Sequence, residues 1–436
     1  MALESSSSSE SAHSALPVGP TPSGDRIVAL DILRGFALLG ILLVNIMSFG
    51  GVAAIDHEWA GFADKTVQGF VEFFARSKFI SIFAMLFGIG FAMQMARLKE
   101  KTGHYLWTYG RRLMVLFLFG AAHLVLDPLE VLSRYAMCGA LLLFFRRASL
   151  KALVLWALLI MTLPYLHTAI VSTLATVETT AQVMAETEQT EQQSNQQIEN
   201  EDTDSGVSWN PYAGQNAVRV YSEGDLSEVL AYNLQFTISR FTSSWVNYLW
   251  MSVPLPLMLI GFYIGRCRIL ERIHDELPLL RNVFWIGLGF GIASTWFGEV
   301  LFGWASIAGW DPWVWFAGSL FWVLGGWGMA LGYAAGIVLL IQRDLWKKYL
   351  ASLRAVGRLT LSNYLLQTLI CTTLFYSYGL GLYGKLGPAV TALLVIGIYL
   401  LQVVLSSLWV RRFRFGPVEW LWRSITYGRL QPMRIT

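Results

Sequence analysis

The charged and amide side chains between Arg26 and Asn45 are the residues of this chain best placed for chemistry. The segment reads RIVALDILRGFALLGILLVN, which is apolar enough to span a membrane, yet it contains Asp31 and Arg34 before its midpoint. A charge inside a membrane span costs at least about 2.5–3.5 kcal/mol, so such residues are normally kept for a function. At about 1.5 Å and 100° per residue, Arg34 and Asn45 lie on nearly the same helix face, roughly 16 Å apart. The pattern therefore predicts a helix that lines a polar pathway or site.

Further ionisable residues lie at the predicted outer ends of the second to fourth apolar stretches. They are Glu72, Arg76, Lys78, His123, Asp127, Glu130 and Arg134. Glu72 and Arg76 are four residues apart, as are His123 and Asp127, and residues at this spacing share one face of a helix. Two interpretations fit the cluster: a structural set of ion pairs, or a polar chamber in which a carboxylate orients an imidazole.

Other polar residues extend the candidate pathway. His57 follows the polar helix in the first outer loop, and its imidazole titrates near neutral pH, as a general base must. Asn363 and Gln367 lie one helical turn apart in an apolar stretch, where joining two helices by hydrogen bonds is favoured over a pathway role. Arg111 and Arg112 lie at the start of another apolar stretch.

The composition is that of a membrane protein with many spans. Of the 436 residues, 55% are hydrophobic and only 14% are charged, and the mean hydropathy is +0.50. No soluble protein of this length needs so much apolar surface. The three cysteines have no metal-binding spacing, and a net charge of +3 gives no indication of nucleic-acid binding, so neither a metal nor a nucleic acid is predicted. Membrane lipids are the expected surroundings, and the oligomeric state is left open.

Ten apolar stretches are long enough to span the roughly 30 Å hydrocarbon core of a bilayer. They cover residues 27–49, 68–96, 107–126, 129–146, 150–174, 246–265, 280–303, 313–341, 358–379 and 387–410. Basic loops alternate with loops that contain few lysines or arginines, which places both termini in the cytoplasm. The sequence therefore predicts an all-α integral membrane protein with about ten transmembrane helices.

These spans divide the chain into five segments. Residues 1–25 are predicted to be a disordered cytoplasmic tail, and 26–174 and 246–410 to be two membrane halves of five helices each. Residues 175–245 form an extracytoplasmic loop between the halves. Residues 411–436 are predicted to form an interfacial helix and tail on the cytoplasmic face.

Six segments of the chain resemble the YeiB-like family of bacterial multi-pass membrane proteins. They read RIVALDILRGFALLGILLVNI, KFISIFAMLFGIGFAM, GRRLMVLFLFGAAHLVL, EVLSRYAMCG, GRLTLSNYLLQT and FGPVEWLWRSITYG. The resemblance covers nearly the whole chain except the N-terminal tail and the 175–245 loop. It implies a protein of the bacterial cytoplasmic membrane whose opening helix is similar to that of transmembrane acyltransferases, including the enzyme that acetylates heparan sulfate.

For function, the resemblance implies acyl transfer across the membrane. The donor would be a cytoplasmic thioester, acetyl-CoA or a related acyl-CoA, acting as a co-substrate without covalent attachment. The acceptor would be an extracytoplasmic glycan, lipid or small molecule. The related acyltransferases place a catalytic histidine just beyond the first span, and His57 is the residue at that position here.

The candidate residues divide into two groups under this hypothesis. On the donor side, Arg34 would pair with a phosphate or the carbonyl of the donor, with Asp31 setting its orientation, and Arg111 and Arg112 would meet the phosphates of the nucleotide. Asn45 would donate a hydrogen bond to the developing oxyanion. His57 would act as general base or carry the acyl group itself, and His123 with Glu130 is the competing acid–base pair.

A transporter or exporter of a small or lipid-linked molecule is the alternative. Ten spans, intramembrane charges and no ATP-coupling motif fit a secondary carrier equally well. Transporters often contain inverted repeats with helices broken at matching positions, and no such repeat is evident in this sequence. A third interpretation is a non-catalytic membrane component that binds a partner through the 175–245 loop.

Overall fold

The computed structural model describes residues 27–52, 59, 61–101, 105–190, 211–212, 214–242, 252–308 and 311–435. The α-helices of these residues are α1 Val28–Phe49, α2 Phe62–Phe70, α3 Lys78–Lys101, α4 Tyr105–His123, α5 Leu132–Leu141, α6 Leu150–Thr190, α7 Gln215–Glu223, α8 Leu226–Thr242, α9 Pro254–Arg266, α10 Leu277–Ala308, α11 Pro312–Ile341, α12 Asp344–Arg358, α13 Thr360–Phe375, α14 Pro388–Arg412 and α15 Pro417–Tyr427. The prediction of an all-helical fold is confirmed for the described residues, where the β-type pairing is a single bridge between Phe413 and Arg434.

Six helical segments of the described chain are long and apolar enough to cross a membrane. They are Val28–Phe49, Phe62–Lys99, Leu150–Val177, Leu277–Ile307, Pro312–Ile341 and Pro388–Arg412. The second of these is interrupted, because a π-helical turn follows α2 at Val71–Ala75 and Ser77 then takes a left-handed backbone conformation with φ of 65°. The polar helix predicted from the sequence is α1, with apolar residues buried around its whole length.

The other four predicted spans coincide with shorter or more polar helices. These are α4 with 19 residues, α5 with 10, α9 with 13 and α13 with 16. At about 1.5 Å per residue, α5 alone extends about 15 Å, half the thickness of the hydrocarbon core. The 3₁₀ turn at Phe144–Arg147 prolongs the same path. The chain between α4 and α5 therefore reverses inside the protein, where Asp127 and Glu130 are both buried.

Close contact between helix backbones holds this bundle together. α1 packs against α12, where a Cβ on Gly357 would overlap the backbone oxygen of Asp31. α3 packs against α9 in the same way, with Gly88 facing Met258 and Gly261 facing the backbone oxygen of Met85. Small residues are favoured at such contacts because neighbouring helices in a membrane gain stability from tight packing and not from excluding water. These contacts fix the positions of α1 and α3, which carry the candidate site.

The α3–α9 contact generates a stability prediction. Replacing Gly261 by Ala is expected to destabilise the protein by about 1–3 kcal/mol, because the added methyl group overlaps the backbone of Met85. Gly397→Ala on α14 is the matched control, since a Cβ there meets nothing within 4 Å. The control should be neutral or more stable by roughly 0.5–1 kcal/mol, because alanine is the better helix former. Thermal unfolding in detergent measures both, and equal midpoints would contradict the packing argument.

Candidate functional site

A cavity of about 210 Å³ lies between α1, α3, α4, α5, the α12–α13 junction and α15. Its described charged lining residues are Arg34, Arg112, Arg358, Glu419 and Arg423, joined by the amide of Gln94. Its apolar and aromatic lining residues include Ile41, Phe83, Leu116, Val131 and Tyr364. Arg34 and Arg112 lie close enough to interact electrostatically. Ile41, Phe83 and Leu116 lie one to three helical turns from Arg34, Gln94 and Arg112 on α1, α3 and α4. The cavity therefore has a polar end and an apolar end.

Arg34 contributes one guanidinium group to the polar end and is held there by Asp31. Arg34 Nη1 lies 3.1 Å from Asp31 Oδ1, as the spacing of three residues on α1 allows. Asp31 is 6% exposed, and its second carboxylate oxygen is buried without a hydrogen-bond partner. The sequence predicts that Asp31 orients Arg34, and the structure brings the two side chains into contact.

The two neighbouring arginines of α4, Arg111 and Arg112, make different contacts. The guanidinium carbon of Arg112 lies 4.3 Å from the centre of the Trp422 ring, and Arg112 lines the cavity. Trp422 Nε1 also donates a hydrogen bond of 2.9 Å to the backbone oxygen of Arg112. Arg111 points to the end of α15 instead, where its Nε donates to the backbone oxygen of Thr426 at 2.5 Å. Of this pair, only Arg112 is placed to contact a molecule in the cavity.

Glu419 joins α15 to the start of α13. Its Oε1 accepts hydrogen bonds from the backbone N–H groups of Leu361, at 2.7 Å, and Ser362, at 3.1 Å. Its Oε2 accepts from the Ser362 hydroxyl at 2.5 Å. Free N–H groups and the helix dipole both favour a carboxylate at a helix N-terminus. Burial nevertheless dominates and raises the pKa of Glu419 above its ordinary value, and the hydrogen bonds oppose that shift only in part.

The sequence reasoning missed the contribution of the C-terminal segment to the site. Glu419, Trp422 and Arg423 all line the cavity, although the segment was predicted to be an interfacial helix. Arg358 and Gln94 were missed as well. The available signal was Glu419, the acidic residue two positions after the GP of FGPVEWLW, in the first turn of the helix that follows.

The apolar end of the cavity adjoins His123. The Tyr364 ring lines the cavity and packs edge-on against the His123 ring, with the ring centres 5.2 Å apart. His123 is 4% exposed, and its Nε2 shares a hydrogen bond of 2.9 Å with the Thr368 hydroxyl. Its Nδ1 is buried without a hydrogen-bond partner. The imidazole is therefore separated from the cavity by a single aromatic ring.

The buried carboxylates near His123 are engaged elsewhere. Glu130 accepts hydrogen bonds from the backbone N–H groups of Leu132 and Ser133, at 2.5 and 2.9 Å, and therefore caps α5. Asp127 accepts from the Tyr212 hydroxyl at 2.8 Å and from the backbone of Leu129. Within the described chain, no hydrogen bond or ion pair joins His123 to Glu130. The predicted acid–base pair thus consists of neighbours that the structure does not connect directly.

The remaining cluster residues do not line the cavity. Glu72 and Arg76 form an exposed ion pair, with Arg76 Nη2 2.5 Å from Glu72 Oε1. Lys78 is fully buried, and its Nζ makes no hydrogen bond and lies 5.0 Å from the centre of the Trp322 ring. Arg134 donates to the backbone oxygen of Leu129, at 3.3 Å.

The predicted amide residues do not line the cavity either. Asn363 donates to the Ser406 hydroxyl at 2.9 Å, and Gln367 donates to Gln402 at 2.8 Å, so both join α13 to α14. This geometry agrees with the favoured interpretation of these amides as partners between helices. Asn45 is partly buried on α1, one helical turn beyond Ile41, the last residue of that helix to line the cavity. His57 lies outside the described residues.

The Glu419 cap yields a second prediction. Glu419→Ala should cost about 2–3 kcal/mol of stability, because buried N–H groups at the start of α13 lose their acceptor. Glu419→Gln keeps an acceptor oxygen and should lose less. Since burial raises the pKa of Glu419, its stabilising contribution is fully present below the ordinary glutamate pKa and declines as pH rises through the folded value.

Thermal unfolding of the wild type, Glu419→Gln and Glu419→Ala across a pH series measures both effects. In Glu419→Gln, the part of the dependence of stability on pH that comes from this carboxyl should be lost. An alanine variant as stable as the wild type would contradict the assigned cap.

Comparison with known proteins places this chain among bacterial relatives. A family model described as "Protein of unknown function (DUF418)" matches residues 264–429. The chain is 31% identical to "Uncharacterized protein YxaH" of Bacillus subtilis (strain 168), with 95% of this chain and 97% of the relative covered. It is 28% identical to "Uncharacterized protein YeiB" of Escherichia coli (strain K12), with 94% and 98% covered. No solved structure matches it significantly. The chain therefore belongs to the YeiB-like family of bacterial proteins.

Proposed function

We propose that this protein is a membrane acyltransferase that takes an acyl group from a phosphate-bearing thioester, such as acetyl-CoA or a related acyl-CoA. The observation that carries the proposal is the two-ended cavity. Four arginines and one glutamate line its polar end, and apolar and aromatic side chains line the other. An acyl thioester of coenzyme A has the same division, with phosphates at one end and an uncharged acyl arm at the other.

Arginine suits the phosphate end of such a ligand. The guanidinium group is permanently charged, and its planar fork of N–H donors matches two phosphate oxygens at once. Asp31 holds Arg34, and the Trp422 ring holds Arg112, so both groups lose little conformational freedom on binding. Preorganisation of this kind increases affinity by lowering the entropy cost of binding.

The volume of the cavity limits which part of the donor it encloses. Pockets that hold a complete drug-sized ligand typically measure about 300–1,000 Å³, and this cavity measures about 210 Å³. We therefore place the thioester arm inside the cavity and the nucleotide at and beyond the arginines.

The chemistry requires a base for the acceptor. The acceptor oxygen or nitrogen attacks the thioester carbon, the carbon–sulfur bond breaks, and the acceptor proton passes through the base to the leaving thiolate. His57 and His123 are the two candidate bases. His123 lies next to the apolar end and needs Tyr364 to move before it reaches the cavity. Asn45 is the candidate donor to the oxyanion.

The proposed orientation in the membrane follows the distribution of charge. The chain would cross the bacterial cytoplasmic membrane ten times with both termini in the cytoplasm, and the shorter helices α5, α9 and α13 would cross together with adjoining segments. Arg34 lies in the second turn of α1, so the polar end of the cavity would face the cytoplasmic donor. The acceptor, a glycan, a lipid or a small molecule, would arrive from the outer side, where His57 follows α1.

Transport of a small or lipid-linked molecule is the second candidate, and a separate observation favours it. The second apolar segment is broken at Ser77, and the next residue, Lys78, is buried with no hydrogen bond to its ammonium group. Broken helices that present charged groups near the middle of the membrane are typical of substrate sites in secondary transporters. Lys78 has no role in the acyl-transfer hypothesis.

The acyltransferase proposal makes a direct binding prediction. The purified protein should bind acetyl-CoA, and Arg34→Ala should weaken binding by at least about tenfold, as expected when a charged hydrogen bond worth roughly 1.5–3 kcal/mol is lost. Arg76→Ala is the matched control, because Arg76 pairs with Glu72 far from the cavity lining. Titration calorimetry measures all three affinities. Equal affinity in Arg34→Ala would remove Arg34 from the site, and no binding to the wild type would contradict the proposal and favour transport.

A comparison of histidine variants identifies the base. One of the two substitutions, His57→Ala or His123→Ala, should remove the general base. In that variant, acyl transfer to extracytoplasmic glycan or lipid should fall at least about 100-fold. Donor affinity should stay at the wild-type value in that variant. Radiolabelled acetyl transfer in cells that express each variant measures the rate. Wild-type transfer by both variants would exclude both histidines from catalysis.

A further inference from the structure

The apolar end of the cavity is closed by aromatic rings that hold each other in place. Phe83 lines it and packs against the Tyr135 ring, with the ring centres 6.0 Å apart. Phe87 packs edge-on against the same ring, at 5.8 Å. The Tyr135 hydroxyl donates to the backbone oxygen of Ile80 at 3.0 Å, which fixes this ring.

The other walls of this end are equally constrained. Leu116 and Val131 are buried beside it, and the Tyr364 ring is backed by His123. The described side chains that form these walls are all of uncharged types. A ligand group that fits here is therefore uncharged, and its length is limited by packed side chains that cannot move without cost.

The two ends together limit the length of the ligand that the cavity accepts. A phosphate held by the arginines fixes one end of a thioester, and the distance from there to Phe83 is set by the helices. On α3, Gln94 at the polar end and Phe83 are separated by about 16 Å along the helix axis. A longer acyl chain on the same anchor must displace the rings or stay outside.

We propose that the apolar end is an acyl-chain site and that Phe83 sets the longest acyl group the cavity accepts. This inference rests on the proposed function and adds the substrate class, a thioester of a short acyl chain. Phe83 is the residue to test because its ring lines the cavity and is partly exposed, whereas Tyr135 and Leu132, which also line the cavity, are buried.

The experiment compares the affinities of acetyl-CoA, hexanoyl-CoA and free coenzyme A for the wild type and Phe83→Ala. The wild type should prefer acetyl-CoA to hexanoyl-CoA. Phe83→Ala should move this ratio toward hexanoyl-CoA by at least about tenfold, the lower limit for one methylene in an apolar pocket. The affinity for free coenzyme A should change much less than this ratio, because free coenzyme A carries no acyl chain and the arginines are untouched.

Phe79→Ala is the matched control on the same helix. Phe79 packs against Phe36 and Tyr333, with ring centres 5.2 and 5.9 Å away, and does not line the cavity. It should keep the wild-type ratio. If Phe83→Ala does not fold, Phe83→Leu keeps an apolar side chain and should move the ratio in the same direction by a smaller amount.

The outcomes separate this inference from the function on which it rests. An unchanged ratio in the folded Phe83 variant, with coenzyme A still bound, would overturn the chain-length role alone. The same shift in Phe79→Ala would overturn it too, because a general loosening of α3 would then explain the result. Failure of the wild type to bind coenzyme A at all would overturn both proposals.

Discussion

An excess of positive charge around one partly enclosed cavity is the constraint on which the rest of this structure depends. Among the described residues that line the cavity, four are arginines and one is a glutamate, whose burial favours the neutral form. Removing charged groups from water is costly unless each finds compensating contacts. Asp31 and the Trp422 ring supply some of these contacts, for Arg34 and Arg112. A bound anion would add to these contacts, which is why we propose a phosphate site at the polar end.

The helices that build this end come from distant parts of the chain. α1 supplies Arg34, α4 supplies Arg112, and α15 closes the site with Trp422. α15 stays in position because Glu419 caps α13 and because Arg111 binds the last turn of α15. Tight glycine contacts set α1 against α12 and α3 against α9, so the walls are rigid. The site therefore depends on the whole bundle and not on the first helix alone.

Much of the fold could be predicted from the sequence, because the length of an apolar stretch and the distribution of charge around it indicate where a helix can lie in a membrane. The contact between Asp31 and Arg34 followed from their spacing on one helix. The different roles of Arg111 and Arg112 did not, since one residue of offset turns the side chains apart by about 100° and the sequence does not say what each one meets. Glu419 was missed because its partners lie about sixty residues away, and only the fold brings them together.

A structure of the protein with coenzyme A bound, determined by electron cryo-microscopy, tests the central claim most directly. The account predicts density for the phosphates within hydrogen-bonding distance of Arg34 and Arg112, with the pantetheine arm directed toward Phe83. Phosphate density elsewhere on the protein, or a cavity that contains lipid under saturating coenzyme A, would contradict it.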